Sequence, residues 1–480
     1  MPFIYLLLFA LVCLQTTWPA PPDWLTAEGS GILVGTIVVT SWLTAGLMGK
    51  VLAWQMTRHP EQRGSLLRRY GRWRRWHFIG LLLAFVACLY LLGWGSVLET
   101  IWVAWMPERL REDKNYPGLH LVMLAPFFFG LIASWERFYQ VEKTAYEVVH
   151  VPDRFVSKFS YLLMQVRHQF FMVLPPFLVM LLLQVLYIFM PDRSETLPAL
   201  ILGGLMALAL VLMPILLRIF LGLKPLPAGP LRERLESTAR RLHFRYSNVL
   251  VWHTRHLFAN ALVTGFIPWI RYIVLTDRLI DELTPEEIEA VFGHEVGHIK
   301  HHHLFFYLAF FLTSFILLGL GWEAVKEALK PDILAAIQWL PYLGDSVDAD
   351  TLTTLSPFGK LVLLAGYTLL VFGFLSRRCE RQADLYGAST VSTQAFIDAL
   401  EKVAAINGIP RNRAGNWLLS WQHPTIAQRV EFLEAMRDDP ARVPQFHFSI
   451  LLLRWCFFIG LGVLVWRFGV PRILELLGGF

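Results

Sequence analysis

The residues best suited to chemistry are His294-Glu295-Val296-Gly297-His298, a run of the form H-E-x-x-H. On a helix, two histidines four residues apart are separated by about 400° of rotation, so they share one face, about 6 Å apart along the axis. Two imidazoles placed in this way can hold one Zn²⁺. The glutamate between them can act as general base toward the attacking water. The chemistry exists only if the stretch is helical, so the surrounding sequence has to supply a helix.

It does. Thr284-Pro285-Glu286-Glu287 offers an N-cap hydroxyl, a proline at the first helical position and a glutamate three residues after the cap. This is the signature of a capping box with acidic groups at the positive end of the helix dipole. Ile288, Val291, Phe292 and Val296 then recur at helical spacing and give the helix an apolar face. Upstream, Arg232–Leu242 reads as a charged helix. Val249–Trp252, Ala259–Thr264 and Tyr272–Leu275 read as short strands separated by turn residues. An exposed edge of such a sheet can pair with an extended peptide, and Asn260 and Ala261 on the middle run are the candidates for that edge. From the sequence the strands serve equally well simply to brace the helix.

The rest of the chain is apolar. Of 480 residues 55% are hydrophobic and 17% charged, against about a quarter charged in soluble domains. The mean hydropathy is +0.48. The net charge of +6 would suit nucleic acid, but the arginines cluster beside apolar runs, where membrane topology accounts for them, so no nucleic-acid partner is expected. Four cysteines form no disulfide framework or zinc ligand pattern. Apolar runs lie at roughly 31–54, 77–98, 119–135, 169–190, 198–222, 304–321, 359–375 and 448–466, near the length that crosses a core about 30 Å thick. Residues 3–14 read as a further, retained N-terminal helix. The expected organisation is a transmembrane region over 1–222, a peptidase region over 223–447 interrupted by two spans, and a C-terminal helix and tail over 448–480. The fold class is an all-α polytopic membrane protein with a small α+β zincin-like catalytic region, a short sheet beside the H-E-x-x-H helix.

Charge fixes an orientation. The segment after the second run carries Arg58, Arg63, Arg68, Arg69, Arg72, Arg74 and Arg75, and reads as a cytoplasmic loop. Strict alternation from there places His294 and His298 on the cytoplasmic side. A catalytic zinc site needs a third protein ligand. Glu323 and Glu327 follow the run at 304–321 and would emerge on the far side. The chain returns through 359–375 to Glu380, on the side of the histidines. Glu380 is therefore the expected third ligand, with Asp384 one turn on to orient a ligand. His301, His302 and His303 read as structural. His423, before Pro424, and Arg429 stand at a loop-to-helix junction where they could stabilise an oxyanion.

These pieces together resemble the HtpX-like and CAAX prenyl protease zinc metallopeptidases, which are membrane-integrated gluzincins. The resemblance covers roughly 225–435 and is carried by Asn260-Ala261, Tyr272–Asp277, the H-E-x-x-H run, Glu380-Arg381-Gln382-Ala383-Asp384, and His423-Pro424 with Arg429. It implies one Zn²⁺ per chain held by His294, His298 and Glu380, with Glu295 as base and Asn260, His423 and Arg429 meeting substrate or oxyanion. The function expected is endopeptidase action on membrane-associated or misfolded proteins at the cytoplasmic face, in a bacterial inner membrane. A protease for prenylated or lipid-linked tails and a silent zinc-binding scaffold are the alternatives. Partners are a peptide or protein substrate and the lipid bilayer.

Overall fold

The computed structural model describes residues 18–108, 116–147, 155–170, 196–254, 258–310, 362–412 and 423–464, with a few isolated positions besides. Glu323, Glu327 and the runs at 3–14 and 169–190 lie largely or wholly outside the described residues, as does most of the run at 304–321. The chain divides into two compact units, one ending at Met206 and one from Ala207 on, which takes up the chain again at Val362.

The first unit is helical. Its long elements are Ala27–Arg58, Arg63–Tyr90, Trp94–Ala104 and Leu119–Glu147. Leu52, Met56, Met123, Trp135, Phe138 and Val141 are fully buried among them. The residues around Arg58–Arg75, expected as a loop, belong mostly to the helix Arg63–Tyr90. Leu66 and Tyr70 turn inward at helical spacing, while Arg68, Arg69 and Arg72 face outward. The run at 77–98 is not one straight span either. It breaks between Tyr90 and Trp94, with a bend of 58°. Gly93 sits there at φ +64°, and a Cβ on it would meet the Pro21 backbone at 2.3 Å, so only glycine allows the close approach.

Among the described residues four helices are long and apolar enough to cross a membrane, or five if the bent pair counts as one span. They are Ala27–Arg58, Leu119–Glu147, Val362–Thr390 and Arg442–Val463. Their outward faces carry Ile32, Leu47, Phe129, Leu452 and Ile459, all exposed. Only 6% of the most apolar window of Arg442–Val463 is buried by protein. Such a surface has lipid as its solvent, and the protein is an integral, multi-pass membrane protein.

The second unit holds a four-stranded sheet: β1 (Lys224–Pro225), β2 (Asn248–Trp252), β3 (Ala261–Thr264) and β4 (Tyr272–Thr276), in the order β1-β2-β4-β3. β2 and β4 are parallel and β3 is antiparallel to β4. β3 is therefore an edge strand. The helix Pro285–Lys300 starts at a complete capping box in which the Glu287 N–H donates to Thr284 Oγ1 and the Thr284 N–H donates to the Glu287 carboxylate at 2.7 Å. Its Ile288, Phe292 and Val296 share a core with Val249, Val251, Ile273 and Leu275 of the sheet, as the period of the sequence requires.

On its other side this helix packs against Val362–Thr390 at very short range. A Cβ on Gly387 would lie 2.9 Å from the Ala290 carbonyl oxygen and 3.0 Å from His294 Cβ, and one on Gly297 would lie 3.2 Å from Ala383 Cα. Backbone cannot give way as a side chain does. Gly387→Ala is therefore expected to push the helix pair apart and to cost about 1–3 kcal/mol, the usual range for overpacking. Thermal unfolding of the purified protein checks the stability loss, and metal content checks the displacement at His294.

Candidate active site

The motif helix turns His294, Glu295 and His298 toward one cavity of about 380 Å³, whose wall also includes Asn260, Ala261, Val263, Glu380, Phe396, His423 and Arg429. Nε2 of His294 and Nε2 of His298 are 3.3 Å apart. Glu380 faces both, with Oε2 3.7 Å from His294 Nε2 and Oε1 3.5 Å from His298 Nε2. Among the described residues these three form the one group of metal-ligand type, with a ligand atom from each within 4.8 Å of the others. Two imidazoles and a carboxylate, all buried, are a donor set that suits Zn²⁺ in a catalytic site. Burial draws the His298 imidazole down to about 4, which leaves it neutral, as a metal ligand must be.

Glu295 stands beside this group. It is 9% exposed, and burial raises its carboxyl above the usual range, while the Val263 N–H hydrogen-bonds it. The base thus rests on the outer side of the edge strand. Asn260 and Ala261 begin the same edge. The Asn260 N–H donates to Thr276 Oγ1 at 2.9 Å, and the Thr276 N–H donates to the Asn260 carbonyl.

Asp384 is fully buried, with Oδ1 3.0 Å from His294 Nδ1. Arg429 holds it from the other side, Nε donating to Oδ2 at 2.9 Å and Nη2 to Oδ1. The guanidinium expected at an oxyanion is thus engaged in a fork with a carboxylate, the geometry in which Arg binds most firmly. His423 is different. Its side chain is 61% exposed, with Nδ1 3.0 Å from Glu380 Oε2, so it can swing toward a substrate.

The structure therefore brings all nine residues singled out by type and spacing into one region. Sequence reasoning missed Val263, whose contact is through the main chain and carries no side-chain signal. It also missed Gly297 and Gly387. Their signal was glycine inside a helical pattern, which often marks a close approach.

Residues 225–437 match the family described as Peptidase family M48. A CAAX prenyl protease 1 homolog of Oryza sativa subsp. japonica is 30% identical over 246 residues, 48% of this chain and 54% of that protein. CAAX prenyl protease 1 of Saccharomyces cerevisiae is 25% identical over 255 residues, 48% of this chain and 53% of the relative. Protease HtpX of Pseudomonas syringae pv. tomato is 26% identical over 191 residues, 36% of this chain and 61% of the relative. The chain spans about half the length of the first two relatives. The crystal structure of S. mikatae Ste24p shares the fold with a TM-score of 0.54 at 17% identity, over 84% of this chain and 98% of that one. The resemblance to membrane-integrated metallopeptidases read from the motifs thus holds, and so does the expected class of a helical membrane fold with a small sheet.

Proposed function

We propose that this chain is a zinc-dependent endopeptidase that hydrolyses peptide bonds of membrane-associated or misfolded proteins. The observation that carries the reading is the convergence of His294, His298 and Glu380 with Glu295 in one cavity beside an edge strand. Zinc bound by those three residues would supply Lewis acidity to a peptide carbonyl and make a water acidic enough to attack. Glu295 takes the proton of the attacking water and returns it to the leaving amine, and a carboxyl raised by burial suits both transfers. Ala261, at the start of the edge strand β3, holds the substrate backbone by strand addition, and Asn260, whose main chain is engaged by Thr276, meets the substrate through its side chain. His423 donates to the developing oxyanion. Arg429 acts one step back, by holding Asp384 against His294. The arginine-rich start of Arg63–Tyr90 supports a cytoplasmic position for the site, and the Pseudomonas relative named Protease HtpX favours a bacterial membrane, for which the inner membrane is the expectation.

A second reading, cleavage of prenylated or lipid-linked tails, is favoured by the relatives named CAAX prenyl protease. The test uses full-length protein in detergent, loaded with zinc, offered an unfolded reporter protein and a farnesylated peptide in parallel. Cleavage of the reporter, abolished by a chelator and restored by Zn²⁺, is the expected result. Cleavage of the farnesylated peptide alone selects the second reading. Zinc bound with neither substrate cut would mean a scaffold.

A further inference from the structure

The reaction as described accounts for the partner of His294 but leaves the far nitrogen of His298 without a role. A histidine that binds metal through one ring nitrogen holds its geometry and tautomer by donating the other N–H to an acceptor. Nε2 of His298 faces Glu380 and His294, so Nδ1 is the nitrogen to be held. It lies 3.0 Å from Nδ1 of His303. His303 is 0% exposed and belongs to the triple-histidine run expected to be structural. The chain reaches this position because His302 adopts a left-handed φ of 56° at the end of the motif helix. That turn sends the next helix back past His298.

The direction of the hydrogen bonds can be deduced. Arg454 Nη2 lies 3.3 Å from Gln382 Oε1, and a guanidinium only donates. The Gln382 oxygen therefore faces Arg454, and its amide nitrogen faces His447 Nδ1 at 2.8 Å. The same oxygen is 3.1 Å from His303 Nε2, so His303 must donate there through Nε2–H. In a neutral ring that leaves His303 Nδ1 as an acceptor. His298 must then donate through Nδ1–H, and its Nε2 keeps the lone pair that a metal needs. The tautomer of His298 is thus set by a cation on another helix, through two intermediates.

We propose that His303 is a positioning residue for the metal site, the acceptor that fixes His298 with Nε2 toward the ion, and that Gln382 and Arg454 fix His303 in turn. This rests on the zinc-peptidase reading above. It adds to the site a chain that runs from the motif helix through Val362–Thr390 to Arg442–Leu464. Metal binding and the seating of those two membrane-crossing helices are coupled through it.

The test measures the dissociation constant for Zn²⁺ on the full chain in detergent, by competition with a chromophoric chelator, and the absorption spectrum with Co²⁺ in place of zinc. His303→Leu is expected to weaken zinc binding about 10–100-fold, the range seen when such a partner is lost, and to alter the Co²⁺ spectrum. His303→Asn puts an amide oxygen near the position of Nδ1 and should restore binding to within a few-fold of wild type. His303→Gln places its polar end near Nε2 and should not. Gln382→Met, which leaves His303 in place and removes its acceptor, should weaken binding even if His303→Leu fails to fold. Equal zinc affinity in wild type, His303→Leu and Gln382→Met would overturn the proposal. So would equal losses in the Asn and Gln variants, since that pattern means packing rather than an acceptor. A wild-type protein that binds no zinc would instead remove the peptidase reading, and this one with it.

Discussion

Glu295→Gln is expected to keep the metal and to lose about 10²–10⁴-fold in turnover, the usual contribution of a general base. The substitution changes little else. Glutamine has nearly the same volume, and its amide oxygen can still accept from the Val263 N–H that the carboxylate now holds. Glu295 is not one of the three groups whose ligand atoms converge, so zinc content should stay at one per chain. What glutamine cannot do is take a proton from water and carry it to the leaving amine. Steady-state cleavage of an unfolded reporter, with zinc measured on the same preparation, checks both halves. Turnover equal to wild type would remove Glu295 from the mechanism. Loss of zinc together with turnover would show that its carboxylate supports the ligands instead.

Parts of this site that depend on local signals were legible in the sequence. The motif helix announces itself through Thr284, Pro285 and Glu287, whose capping contacts all lie within four residues. The three strands are visible as short apolar runs, and only their ends differ: the middle one begins at Ala261 rather than Ala259 because Ala259 and Asn407 hydrogen-bond each other instead. Glu380 could be reached because membrane crossings constrain which side each residue occupies.

What was not legible depends on tertiary contacts. The break at Gly93 exists because Pro21, far back in the chain, lies against it. Arg429 has the residue type of an oxyanion partner, and nothing near it in sequence reveals that Asp384, 45 positions away, engages its Nε and Nη2 in a fork. His303 reads only as structural from the sequence because the left-handed turn at His302 cannot be read from a run of like residues. A site made of residues on several helices is therefore legible in its members before it is legible in their roles.

Glu380→Ala is expected to abolish both metal binding and cleavage, which separates it from Glu295→Gln. Its carboxylate is the one anionic group of the three that converge, with an oxygen toward each imidazole. Without it two imidazoles remain, and that pair gives a divalent cation neither the third ligand nor the negative charge that the carboxylate supplied. The loss in zinc affinity should exceed the roughly 10–100-fold cost of losing a partner in the next layer. The fold should survive, because Val362–Thr390 is held by Gly387 against Ala290 and by Ala383 against Gly297 rather than by Glu380 alone. Glu380→Gln is the sharper variant. It keeps the volume and one oxygen but no charge, so an intermediate zinc affinity with no turnover is expected. Glu323→Ala and Glu327→Ala should leave zinc content unchanged, since the run at 304–321, read from the sequence as a crossing, would carry both to the far side. Zinc retained in Glu380→Ala and lost in either of the others would reverse the ligand assignment and remove the reading of 304–321 as a crossing.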